Sequence, residues 1–65
     1  MCESAIYLVE GSEKTLIMAE AARVFADGST ITCANAFGER NVVEDAEIAE
    51  ANLVRHEIIL RKRQR

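Results

Sequence analysis

The chain has 65 residues, 49% of them hydrophobic, a formal net charge of −3 and no proline. That length holds one domain at most, and a domain so small buries only a modest part of its surface. No apolar run approaches the roughly 18 residues of a membrane span, no basic stretch opens a signal peptide, and net negative charge disfavours a general nucleic-acid binder. The expectation is a soluble, cytoplasmic, single-domain protein that gains stability by pairing, most simply as a two-fold homodimer.

In chain order, the first informative residue is Cys2. If Met1 is removed, as a small second residue favours, Cys2 carries a thiol and a free α-amine that together chelate a soft or borderline metal. If Met1 stays, the thiolate lies beside a backbone nitrogen. Either donor pair suits a metal that takes sulfur and nitrogen ligands in a plane. The other cysteine is Cys33. Two cysteines without a secretion signal read as free thiols rather than a disulfide.

Ala5–Val9 is rich in β-formers and predicts a first strand. The Glu10–Lys14 cluster around Gly11 predicts a turn, and Thr15–Met18 opens a second strand. Arg23–Phe25 predicts a further strand or the far end of a bent one. Asp27-Gly28 is a hairpin signal between strands. Ser29–Phe37 alternates, with Ile31, Cys33 and Phe37 on one face. Asn35 breaks that face and is expected at a bulge or strand end. Gly38-Glu39-Arg40 reads as a turn, Arg40–Glu44 as ambiguous, and His56–Leu60 as a closing strand. Met18–Arg23 and Glu44–Leu53 carry high helix propensity. In the second of these, Ile48 and Leu53 could form a buried stripe. These local signals leave an all-β and a mixed α+β fold both open.

Cys33 is expected in the core as a small hydrophobe, and Phe25 and Phe37 are expected there too. Tyr7 is expected at an interior or interface position with its hydroxyl at a wet edge. His56 is expected as an exposed imidazole at the entry to the last strand, with a metal role open to it. The acidic run Glu44, Asp45, Glu47, Glu50 contrasts with the basic end Arg61-Lys62-Arg63-Gln64-Arg65. That end reads as a solvated terminus or as a small anionic docking patch.

The opening Met1-Cys2-Glu3-Ser4-Ala5-Ile6-Tyr7-Leu8 resembles the start of the CooT-type small nickel-binding proteins. The similarity continues through the Glu10–Lys14 turn, Ala22-Arg23-Val24, Phe37-Gly38-Glu39 and the ending Leu53–Leu60. The resemblance implies an all-β fold, a small antiparallel β-barrel of Sm or SH3-like type spanning residues 1–65, with a basic tail at 61–65. It implies a homodimer that binds one Ni(II) between its N-termini through Cys2 of each chain. It further implies no catalysis of its own but an accessory role, delivering nickel to a client enzyme such as carbon monoxide dehydrogenase. The Ala-rich stretches are then strands, their helix propensity overridden by tertiary context. The alternative is a small RNA-binding β-barrel using the basic tail. An N-terminal cysteine nucleophile is disfavoured by the short chain and the single histidine.

Overall fold

The computed structural model describes residues 3–63. Cys2, on which the metal expectation falls, and Gln64 and Arg65 lie outside them. The described residues form seven strands: β1 (Ser4–Glu10), β2 (Glu13–Ala21), β3 (Arg23–Asp27), β4 (Thr30–Ala34), β5 (Arg40–Val43), β6 (Ala46–Asn52) and β7 (Glu57–Lys62). No helix occurs among them, so none is long and apolar enough to cross a membrane.

The strands form a four-stranded sheet of order β2-β1-β7-β6 and a three-stranded sheet of order β3-β4-β5. This corrects the expected closed antiparallel barrel in two respects. The central pair β1 and β7 is parallel, with Ile6 opposite Ile58 and Leu8 opposite Leu60. The ladders also stop where the chain passes from one sheet to the other. Ala22 makes the first passage, and Glu44 with Asp45 makes the second, Asp45 in a left-handed conformation (φ 60°). One backbone hydrogen bond spans each junction, Ala22 N–H to the Ala34 carbonyl (2.8 Å) and Ala46 N–H to the Ser29 carbonyl (2.9 Å). Chain reversal at these points leaves the sheets stitched rather than merged.

The tight turns follow the glycines. Gly11 and Gly28 each open a two-residue loop, between the paired residues Glu10 and Glu13 and between Asp27 and Thr30. Both glycines have φ of 62°, the conformation such hairpin loops demand and a side chain resists.

Alternation sends one face of each sheet inward. Ile6, Ile31, Cys33 and Leu60 are fully buried, with Ala21, Ala34, Val43 and Ala46 around them. Leu8, Ile17, Met18, Val24 and Ile58 pack against this cluster. The two helix-prone segments are strands because Ala21 and Ala46 supply small buried contacts between the sheets. Packing of that kind outweighs a propensity difference of well under about 1 kcal/mol per residue.

Three apolar residues expected inside are outside. Phe37 is 90% exposed, because β4 ends at Ala34 and Asn35 folds the chain away. The Asn35 Oδ1 accepts the backbone N–H groups of Phe37 and Glu39, both at 3.0 Å. This confirms Asn35 at a strand end. Phe25 pairs with Thr32 on the outer face of the small sheet and is 36% exposed. Leu53, a candidate for a helical stripe, is 78% exposed in the turn before β7.

Candidate functional site

The register of β1 and β7 brings the β6–β7 turn against the start of β1. Ala5 pairs with Glu57, and the Ala5 N–H donates to the His56 carbonyl at 2.9 Å. Ser4 opens β1 opposite Ala21 on the other side. The start of β1 therefore lies between the β6–β7 turn and β2.

That turn is held by a side-chain-to-backbone hydrogen bond. Asn52 Oδ1 accepts the Arg55 N–H at 3.0 Å, and His56 adopts φ of 56°. Leu53 and Val54 project from it, 78% and 90% exposed. Arg55 Nε lies 3.7 Å from a Glu57 carboxylate oxygen, an exposed contact worth little in water. The His56 imidazole is exposed, as its position before the last strand led one to expect. Phe37 and Gly38 sit in the β4–β5 loop, reached through the Ala22–Ala34 junction.

Cys33 is excluded as a ligand. Its side chain is fully buried, and desolvation pushes its thiol above its ordinary pKa. The thiolate a metal requires is thus disfavoured there. Among the described residues, no three His, Cys, Asp or Glu side chains gather closely enough to hold a metal. One chain's described donors do not complete a site.

The outer face of the four-stranded sheet is apolar at its centre. Leu16 and Ile59 flank Tyr7 directly across their ladders. Tyr7 is half-buried, with the Lys14 ammonium 4.5 Å from its ring centroid. Paired positions share a face, so Leu16, Tyr7 and Ile59 form a row on the side away from the core.

The opposite end of this sheet differs in chemistry. A cleft of about 290 Å³ is lined by Val9, Glu10, Gly11, Arg61, Lys62 and Arg63. Two of its cationic side chains and the Arg63 backbone are engaged with the acidic segment. Arg61 donates through Nε (3.0 Å) and a terminal nitrogen (2.6 Å) to one Glu47 oxygen. Lys62 Nζ donates to the Glu44 carbonyl at 2.8 Å, and the Arg63 N–H to that of Asp45 at 2.9 Å. Arg61 and Lys62 are therefore the last residues of β7 rather than a loose basic tail. Sequence reasoning missed this pairing, although the acidic run and the basic end were its two visible halves.

A small all-β module of two stitched sheets, its first strand starting beside the β6–β7 turn, is the class that fold and site define. The family of CO dehydrogenase accessory protein CooT matches residues 1–61. The crystal structure of a protein from Carboxydothermus hydrogenoformans assigned to CooT is similar at 27% identity, with a TM-score of 0.82, over 97% of this chain and 100% of that one. No curated protein matches the chain significantly. The chain belongs to the CooT family, whose members are described as accessory to CO dehydrogenase rather than as the enzyme.

Proposed function

We propose that the chain is a nickel-binding accessory protein. It holds one Ni(II) between the N-terminal segments of a homodimer, through Cys2 of each copy. It delivers the metal to a nickel enzyme, with carbon monoxide dehydrogenase the client suggested by the family. The observation that carries this reading is the division of labour between the two cysteines. Cys33 is sealed in the core, while Cys2 lies within the matched family region and just ahead of β1. A single thiolate per chain cannot fill a four-coordinate site. A two-fold pair supplies two thiolates, and nitrogen donors beside them complete a set suited to planar Ni(II).

Three further features support the dimer. The core is small, the length predicts marginal stability alone, and the outer row of Leu16, Tyr7 and Ile59 is an apolar surface on a sheet face that water would otherwise cover. Metal binding would release the thiol protons, so affinity should fall as pH drops.

Titration of tag-free protein with Ni(II), followed by absorbance and native mass spectrometry, tests the reading. Half an equivalent per chain, bound to a dimer, is the expected result. Cys2→Ser should abolish it and leave the fold intact. Retention of half an equivalent by C2S would move the site elsewhere.

A further inference from the structure

We infer that the free edge of β3 is a self-complementary docking surface, on which a second copy of this chain pairs antiparallel about Phe25. The first support is that this edge is open. Strand β3 lies at the end of the three-stranded sheet, and all its residues but Val24 are exposed. It contains no proline or glycine, and its ladder with β4 runs from Arg23 to Asp27 without a shift. The other edges carry features that discourage pairing. Register shifts interrupt the ladders of β2 and β6. On the short strand β5, the Asn41 amide donates to the Ile17 carbonyl of β2 at 2.8 Å, so that edge borders the other sheet.

The second support is the direction of the backbone groups. Asp27 and Thr30 close the two-residue loop at Gly28 and Ser29, which makes theirs a hydrogen-bonded pair. Alternation then bonds Phe25 and Arg23 inward to β4 and turns the N–H and C=O groups of Val24 and Ala26 outward. With a two-fold axis at Phe25, Val24 of each copy exchanges both bonds with Ala26 of the other.

The third support is the order of the side chains. Arg23, Phe25 and Asp27 share the outer face by alternation, and the Arg23 guanidinium lies 5.1 Å from the Phe25 ring centroid. In a pairing about Phe25, each Arg23 stands opposite Asp27 of the other copy. The two Phe25 rings meet at the axis in a non-hydrogen-bonded position, where facing side chains come closest. An axis at Arg23 or at Asp27 would set like charges face to face. One register thus matches backbone, charge and aromatic ring together, the self-matching that a two-fold contact requires. So short an edge makes a small interface, and the pairing belongs to the weak, reversible class. It lies on a different sheet from the Leu16, Tyr7 and Ile59 row and needs no metal, so it is independent of the nickel reading.

Metal-free protein in chelator is followed by sedimentation and by amide exchange from micromolar to millimolar concentration. The expected result is a reversible association step in which the Val24 and Ala26 amides gain protection as concentration rises. Ala26→Pro removes an outward N–H and leaves the bonds to β4, as an edge position permits, and should abolish that step. Arg23→Asp and Asp27→Arg should each weaken it by about tenfold or more, since like charges then face each other across the axis. A mixture of R23D with D27R restores both charge pairs and should associate as the wild type does. The proposal is overturned if no step depends on concentration, if A26P leaves the step unchanged, or if the mixture associates no better than either variant alone. Should A26P fail to fold, the charge variants and their mixture decide.

Discussion

The two ends of the four-stranded sheet are built to opposite rules. At one end the fold satisfies its own groups: Arg61 pairs with Glu47, the Lys62 ammonium donates to the Glu44 carbonyl, and a backbone hydrogen bond joins Arg63 to Asp45. At the other end Leu53 and Val54 stand in solvent, and the His56 imidazole is exposed with no partner among the described residues. Groups satisfied within the fold tell how it is held together. Groups left open on a rigid frame tell where it meets something else. The basic end reads as a solvated terminus or an anionic docking patch, and the structure ties its Arg61 and Lys62 side chains to the chain's own acidic segment.

The comparison holds only while both ends rest on one core, and Leu60→Ala tests that first. Leu60 is fully buried, and truncation there should cost about 2–5 kcal/mol. In so small a domain that removes most of the stability, and denaturant melts should show one transition lost for the whole sheet. Survival of a separate folded half would break the picture of a shared core.

Cys33 sharpens the contrast between sealed and open groups. A thiol reagent should modify native protein at Cys2 quickly and at Cys33 only at the rate of unfolding. Burial raises the Cys33 pKa in the folded state, so the fold binds the thiol proton more tightly than the unfolded chain does. The associated stability is complete at neutral pH and declines as pH climbs through the ordinary thiol range towards the raised folded value. Labelling of both cysteines at equal rates would mean that the core is open.

The smallest effect is expected at the self-satisfied end. Glu47→Gln should cost about 0.2–1 kcal/mol and less at high salt, because the Arg61 and Glu47 side chains are 58% and 45% exposed. Nickel binding should be unaffected. A large change in nickel affinity would mean that the two ends communicate.

Much of the sheet was legible locally. The β-rich run at Ala5–Val9, the Asp27-Gly28 signal and the break at Asn35 each correspond to an element or its end. The Ala-rich strands were not, because local propensity favours a helix there and only the facing sheet reverses it. The parallel neighbourhood of β1 and β7 was not legible either, since the two strands lie at opposite ends of the sequence. Phe37 misled because alternation was extended past Asn35, where the polar side chain redirects the backbone. Cys2 was visible from its position, whereas the approach of His56 to the start of β1 needed the register.

The pairing of the first strand with the last also bears on synthesis. Strand β1 can form its hairpin with β2 as soon as both leave the ribosome, but its other neighbour is the final strand to appear. Contacts so distant in sequence form slowly, and until they form, the sheet has a gap at its centre and no turn beside the N-terminal segment. A nascent or truncated chain therefore lacks the frame at the thiol end, and only a finished copy can present it.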